Sequence, residues 1–144
     1  MFSKACEYGI KAAIYIAQQS QLNRTVNVKD VALSIDAPVA FTAKILQLLC
    51  REEILQSVRG KQGGFFFSEE KQKHFRIYDL VTRIDGDGLF TQCGLGLQRC
   101  SSENPCPVHN DFKIVRDRLF EMTSKHTFFD LALTTQSGLA WLKN

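Results

Sequence analysis

The chain has 144 residues, 44% of them hydrophobic, and a formal net charge of +3. That is enough apolar material for one domain with a buried core, and no run of about 18 or more apolar residues predicts a membrane helix. The first residues contain no basic stretch followed by a long apolar run, so we expect no secretory signal and a reducing, cytoplasmic location.

Basic residues are concentrated in the first half of the chain. Residues 1–76 carry 11 Lys and Arg against 7 Asp and Glu, whereas residues 77–144 carry 7 against 8. A cationic first half suits contact with phosphate groups, although a charge of this size does not identify a partner.

Apolar residues at helical spacing predict three helices in the first fifty or so residues. The Ala-rich segment 4–19 is apolar around most of its circumference, which predicts a largely buried helix. Asn27, with Asp30 three residues later, is typical of the start of a second helix. Pro38 suits the first position of a third helix that runs to Glu52, because a missing N–H costs nothing there.

The helix predicted over residues 38–52 has one apolar face and one face without an acid. The second face is small, polar or cationic and contains Ala40, Lys44, Gln47 and Arg51. Two short helices joined by a tight turn, the second with such a face, form the helix-turn-helix pattern of DNA-binding proteins. Lys44 suits a guanine edge and Gln47 an adenine edge, while Ala40 and Thr42 are expected to approach the DNA backbone.

Two short strands, 54–59 and 64–68, are predicted to form a hairpin around a glycine-rich turn. Arg59, Lys61 and Gln62 lie at its tip. A basic hairpin directly after a helix-turn-helix is a wing, which reaches phosphates or a narrow minor groove.

Two further helices are predicted over residues 76–85 and 109–123. The second carries a narrow apolar stripe typical of a helix pair, consisting of Phe112, Val115, Leu119 and Met122. Thr127, with Asp130, is expected to cap a last short helix. We therefore predict a mainly α fold with a small β-hairpin: a winged helix-turn-helix head (1–85), a cysteine-rich loop (86–108), and a long dimerisation helix with a C-terminal tail (109–144).

The loop "CGLGLQRCSSENPCPVH" places Cys93, Cys100, Cys106 and His109 within seventeen residues. Thiolate sulfur is a strong ligand for zinc and for the iron of iron–sulfur clusters. Structural zinc sites favour cysteine pairs separated by about 2–4 residues, and the intervals here are six and five, which favours an iron–sulfur cluster. A Cys3His zinc site and thiols without metal remain alternatives, whereas Cys6 and Cys50 are expected to pack as small hydrophobes.

Together, "ILQLLCREEIL", "VRGKQGGFFF" and the cysteine loop resemble the Rrf2 family of winged-helix transcription regulators, which includes the IscR and NsrR types. The resemblance covers nearly the whole chain. It implies a homodimer that is crossed through its long helices and binds a pseudo-palindromic DNA operator. It also implies an iron–sulfur cluster on three cysteines, as in a subset of the family.

The same resemblance implies two candidates for a fourth ligand. In IscR-type members it is a histidine three residues after the last cysteine, where this chain has His109. In NsrR-type members it is a carboxylate near the N-terminus of the partner subunit, and Glu7 is at the matching place. The recognition-helix position that is acidic in IscR-type members corresponds to Ala43, so no operator sequence is transferred.

The sequence thus predicts a DNA-binding regulator whose operator binding responds to an iron–sulfur cluster. A two-iron cluster is favoured over a four-iron cluster. Such a cluster can be lost during preparation in air. The signal would be iron–sulfur status, redox state or nitric oxide. A zinc-braced or cluster-free regulator, a zinc-braced interaction module and an iron–sulfur electron carrier are alternatives. The chain shows no nucleophile–base arrangement or carboxylate pair, which argues against an enzyme.

Overall fold

The computed structural model describes residues 1–144 and contains eight helices and one two-stranded antiparallel sheet. The helices are α1 (Lys4–Gln21), α2 (Val28–Ser34), α3 (Val39–Arg51), α4 (Glu69–His74), α5 (Ile77–Ile84), α6 (Gly88–Thr91), α7 (His109–Lys125) and α8 (Phe128–Gln136). The strands are β1 (Gln56–Val58) and β2 (Gly64–Phe66). The predicted mainly α fold with one hairpin is confirmed.

Helices α2 and α3 are bent by 110° relative to each other, within the range of a helix-turn-helix. Asn27 caps α2 as predicted, because its side-chain oxygen accepts a 2.9 Å hydrogen bond from the Asp30 backbone N–H. Pro38 is the N-cap of α3 rather than its first helical residue, since its ψ of 134° is still extended. No single helix is both long and apolar enough to cross a membrane; α2 and α3 meet that test only as a bent pair.

Helix α1 is central to the core, as its apolar circumference predicted. It approaches α5 so closely at Gly9 that an added Cβ would lie 2.8 Å from Ile84 Cδ1 and 3.7 Å from Ile45 of α3. Ala12, Ala13, Ile16 and Ala17 follow along the helix and are fully buried. The recognition helix is therefore packed against α1, which also packs on α5.

The C-terminal helix α8 packs on the head rather than standing apart from it. Phe128 is fully buried, with its ring centroid 5.5 Å from that of Phe67, and Ala132 joins the same core. The capping box of Thr127 and Asp130 forms as expected. Helix α8, which lies in the predicted C-terminal segment, therefore shares the head's core.

Helix α4 was not predicted from the sequence, and the strands are shorter than predicted. Ser68 caps α4 by accepting a 3.4 Å hydrogen bond from the Lys71 N–H. Gln72 is fully buried, and its amide donates to the carbonyls of Phe67 and Ala17. These bonds make the burial of a polar side chain tolerable, and they fix the end of the wing to α1.

Candidate nucleic-acid interface and metal centre

The recognition helix α3 presents the predicted polar face to solvent. Its exposed residues include Ala40, Lys44, Gln47 and Arg51. Thr42 is different: it is fully buried, and its hydroxyl donates a 2.9 Å hydrogen bond to the Pro38 carbonyl. The structure therefore argues against the expected contact of Thr42 with DNA, because a buried and satisfied hydroxyl offers nothing to a phosphate. Ala43 is half-buried.

The wing contains two glycines, Gly63 and Gly64, at positions where a side chain would collide with the backbone. A Cβ on Gly63 would lie 2.1 Å from the Val58 carbonyl oxygen. Gly64 has a φ of +148°, and its Cβ would lie 2.5 Å from the Val26 carbonyl oxygen. Val26 and Phe65 exchange backbone hydrogen bonds of 3.2 and 2.7 Å, which attach the hairpin to the segment before α2. The exposed tip carries Arg59, Lys61 and Gln62.

Replacing Gly63 by Ala is expected to displace the wing, because the new methyl group meets the Val58 carbonyl. If the tip loses its phosphate contacts, duplex affinity falls by about 1.5 kcal/mol, roughly tenfold. Fluorescence anisotropy with a labelled duplex measures this. Gly86→Ala is the control for adding a methyl group without a steric clash, since Gly86 has no atom within 4 Å of the place that a methyl group would take. Equal affinity of the two variants would contradict the prediction.

The head has six cationic side chains without a hydrogen bond or an ion pair. The four ion pairs of the structure use Lys4, Lys73, Lys113 and Arg118. Four further cations of residues 1–85 donate to backbone carbonyls: Lys11, Lys71, Arg76 and Arg83. The remaining six are Arg24, Lys29, Lys44, Arg51, Arg59 and Lys61. Sequence reasoning missed Arg24 and Lys29, which lie outside the recognition helix and the wing and carry only their charge as a signal.

The three loop cysteines converge. Their sulfur atoms all lie within 4.8 Å of one another, and Cys93 Sγ is 3.8 Å from Cys106 Sγ. The Cys106 backbone N–H donates to Cys100 Sγ at 3.4 Å. His109, the first residue of α7, has its Nδ1 3.1 Å from Cys100 Sγ. The four side chains that the sequence grouped by spacing are therefore neighbours in the fold.

The loop backbone favours a thiolate at one of these cysteines. Hydrogen bonding from the backbone at Leu95 and Leu97 lowers the pKa of Cys93 to about 7. Desolvation raises the pKa of Cys106, which is 8% exposed. Hydrogen bonds to sulfur are typical of iron–sulfur ligation, where they tune the centre.

The other two cysteines have the properties of packing residues. Cys6 is fully buried, and desolvation raises its pKa to about 12. Cys50 is half-buried, and desolvation raises its pKa as well. Neither belongs to the three-sulfur group. Both agree with the interpretation that these thiols act as small hydrophobes.

Glu7 lies outside the three-sulfur group of its own chain. Its carboxylate accepts a 2.8 Å hydrogen bond from Lys4 Nζ, which lowers its pKa. The side chain is 41% exposed, so it is accessible to a second subunit. His74 and His126 are exposed, as expected from the sequence.

Comparison with known proteins identifies the family. Residues 2–134 match the family model Rrf2, described as "Iron-dependent Transcriptional regulator". The chain belongs to the Rrf2 family. The family predicted from the wing motif and the cysteine loop is thus confirmed, and this Rrf2 protein is a transcriptional regulator and not an enzyme.

Several relatives of this Rrf2 protein are similar over most of their length. A protein of Aquifex aeolicus named as an HTH-type transcriptional regulator is 28% identical over 133 residues, which cover 91% of this chain and 90% of the relative. The regulator BadM of Rhodopseudomonas palustris is 30% identical over 114 residues, which cover 79% of this chain and 67% of BadM.

Solved structures share the fold of this Rrf2 protein. CymR, described as the global cysteine regulator of B. subtilis, has a TM-score of 0.75 at 19% identity, covering 92% of this chain and 96% of CymR. IscR of T. potens has a TM-score of 0.75 at 18% identity, covering 97% of this chain and 91% of IscR. The winged-helix architecture is therefore shared along nearly the whole chain.

Proposed function

We propose that this Rrf2 protein binds a double-stranded operator as a homodimer and that an iron–sulfur cluster on Cys93, Cys100 and Cys106 adjusts this binding. The observation that carries the proposal is the convergence of the three sulfurs within 4.8 Å. The family description as iron-dependent supports the choice of iron. The cluster would supply a redox-active and labile centre.

The residues present fit such a centre. Three thiols and the His109 imidazole provide four ligands, the number that two-iron and four-iron clusters both take; we favour the two-iron form because mixed cysteine and histidine ligation is typical of two-iron centres. An open cavity of about 610 Å³ lies directly beside Cys100 and Cys106. It gives oxidants and nitric oxide access to the sulfurs.

A single zinc ion is the second candidate, because all three sulfurs lie within 4.8 Å of one another, as on one metal ion. Two thiolates on a tetrahedral zinc, with Zn–S bonds of about 2.3 Å, have sulfurs about 3.8 Å apart. Cys93 and Cys106 have that separation. A two-iron cluster also holds two thiolates on one iron at about this distance, but its third thiolate binds the other iron, so Cys100 would have to lie farther from the other two sulfurs than it does here.

Protein purified without air decides between the two centres. A visible absorption spectrum together with iron, acid-labile sulfide and zinc analysis is the experiment. Iron and sulfide in near-equal amounts support the cluster. A colourless protein with one zinc per chain would show that the loop is braced by zinc instead.

The fourth ligand is tested by separate His109→Ala and Glu7→Ala variants, prepared without air. We expect His109→Ala to lower cluster affinity by at least about 10-fold, the lower end of the range for losing a group that only supports a ligand, because its Nδ1 already lies beside Cys100 Sγ. Cluster content and its rate of loss in air are the measurements. If the cluster is lost quickly from Glu7→Ala but retained by His109→Ala, the fourth ligand would be Glu7 of the partner subunit.

The DNA contacts are proposed for the exposed cations and amides of the head. Lys44, Gln47 and Arg51 would enter the major groove on α3, with Ala40 next to the DNA backbone. Arg59, Lys61 and Gln62 would reach phosphates or the minor groove from the wing. All seven side chains are exposed.

The homodimer is proposed to form through α7, with a stripe that differs from the predicted one. Leu119 is only 8% exposed, and Phe112 packs so closely on Gly94 of the cysteine loop that a Cβ there would lie 2.3 Å from its ring. The apolar residues left exposed on α7 are Ile114, Val115, Phe120 and Met122. A second copy of α7 would cover the first two and Met122.

Val115→Glu is expected to dissociate the dimer, since it places a charge in the proposed interface, where Val115 is 59% exposed in the single chain. Sedimentation velocity at micromolar concentration measures the change. Lys113→Glu is the matched control, because Lys113 lies on the opposite side of α7 and pairs with Asp117 in solvent. A monomeric wild-type protein, or a Val115→Glu protein that stays dimeric, would contradict this interface.

Contacts between aromatic rings connect the cysteine loop to the head. Phe90 of α6, at the start of the loop, lies 4.9 Å from Tyr78 of α5, and Phe120 of α7 lies 5.0 Å from Tyr78, centroid to centroid. Through α5, these contacts reach Gly9 of α1 and then Ile45 of α3. Since the recognition helices of a dimer must lie about 34 Å apart, a small tilt transmitted along this path would change operator affinity.

A further inference from the structure

A polar cavity of about 570 Å³ lies between the end of α1, the segment before α2 and the wing. Its rim includes Gln19, Asn23, Arg24, Asn27, Lys61 and Gln62. Thr25 Oγ1 donates a 2.9 Å hydrogen bond to the Gln62 carbonyl and so connects the two walls. The cavity is therefore a built feature of the junction between the wing and the helix-turn-helix.

The charges around this cavity favour an anion. Arg24 and Lys61 come from opposite walls, and neither side chain makes a hydrogen bond or an ion pair within the chain. Asp30 is the one acid on the rim, so the rim carries a net charge of +1. Amide groups of asparagine and glutamine supply additional uncharged donors. Free cations next to amide donors suit a phosphate group.

We infer that this cavity binds one backbone phosphate of the operator duplex, with Arg24 and Lys61 as its two cationic contacts. The inference rests on the proposed function, because it extends the DNA-binding surface from the wing tip towards α1. Duplex DNA is favoured over a free phosphate because Lys61 and Gln62 also belong to the exposed wing. Arg24 is thereby a phosphate-positioning residue that reads no base.

The experiment measures the affinity of a random-sequence duplex of about 30 base pairs over a range of salt concentrations, since phosphate contacts do not depend on sequence. Arg24→Gln is expected to reduce the slope of log K against log salt by about 0.9 for each protomer, and Arg24→Lys is expected to keep most of it. Lys73→Gln is the control, because Lys73 is an exposed head cation already balanced by Glu69 at 2.5 Å. Thermal unfolding by circular dichroism verifies that each variant is folded.

A double-mutant cycle tests whether the two cations share one phosphate. If the losses of duplex binding free energy caused by Arg24→Gln and Lys61→Gln are not additive in the double variant, they support one phosphate shared by both cations. Additive losses would overturn a shared phosphate. An unchanged slope in Arg24→Gln, with wild-type duplex binding intact, would overturn the inference alone. A wild-type protein that binds no duplex would overturn it together with the proposed function.

Inorganic phosphate, titrated by calorimetry without DNA, separates a small ligand from the duplex. Weak binding that does not depend on Arg24 agrees with the inference. Phosphate binding lost in Arg24→Gln, with an unchanged duplex affinity, would assign the cavity to a free phosphate and overturn it.

Discussion

Cys106→Ser, prepared without air, is expected to lose its cluster, with binding weakened by at least about 100-fold. Cys106 is the most buried of the three loop cysteines, and its sulfur lies 3.8 Å from Cys93 Sγ. A serine hydroxyl is a far poorer ligand for iron than a thiolate, so the variant should be colourless. Iron and sulfide per chain and the visible spectrum are the measurements.

Cys50→Ser is the matched control for this prediction. Cys50 is half-buried in the head and lies outside the three-sulfur group, so the same chemical change there should leave iron and sulfide unchanged. Equal loss in both variants would show that the serine substitutions act through stability. Full cluster content in Cys106→Ser would contradict the proposed ligand set.

Lys44→Ala and Gln47→Ala are expected to reduce sequence preference more than overall DNA affinity. Both side chains are exposed on α3, where each good pairing with a base edge discriminates by about 1–3 kcal/mol, roughly 5–150-fold. The measurement compares a duplex selected from a random pool with a scrambled duplex, at one salt concentration. We expect a large loss on the selected duplex and a small loss on the scrambled one.

Lys73→Ala controls for the removal of a head charge, since Lys73 is paired with Glu69. A loss of equal size on selected and scrambled duplexes would assign Lys44 to phosphate contact rather than to base recognition. An unchanged affinity in both variants would place the recognition surface elsewhere on the head.

The helix-turn-helix could be predicted because its signals are local. Helical spacing of apolar residues, the Asn27 cap and Pro38 lie within a few residues of the features they determine. Helix α4 escaped prediction because it is a short polar segment whose burial depends on contacts of Gln72 with residues distant in sequence. Thr42 looked like a surface residue because the sequence does not show that its hydroxyl is satisfied by Pro38.

The candidate metal centre could be predicted in its members but not in its geometry. The spacing grouped the three cysteines with His109, whereas their convergence depends on the fold of the loop. Gly96 turns the chain there with a φ of +74°, and Phe112 packs against Gly94. That packing also explains why the predicted α7 stripe is only partly exposed: Leu119 is 8% exposed and Phe112 packs on Gly94, whereas Ile114, outside the predicted stripe, is exposed.

The sequence showed that the head carries a net positive charge, but not which of its cationic side chains are unpaired. The sequence cannot show which cations are already paired, and Arg24 was overlooked because it lies in neither predicted DNA-binding element. The structure separates free cations from those bound to carbonyls or carboxylates. The six free cations of the head are available to neutralise phosphates, which supply much of the affinity for a duplex.

The most direct test compares the operator affinity of protein prepared without air before and after its cluster is removed, on one selected duplex and at one salt concentration. Cluster removal is expected to change the affinity by about 5–150-fold, the usual range of coupling between two sites. Identical affinity and identical sequence preference in the two forms would contradict the proposal that a centre on Cys93, Cys100 and Cys106 controls DNA binding.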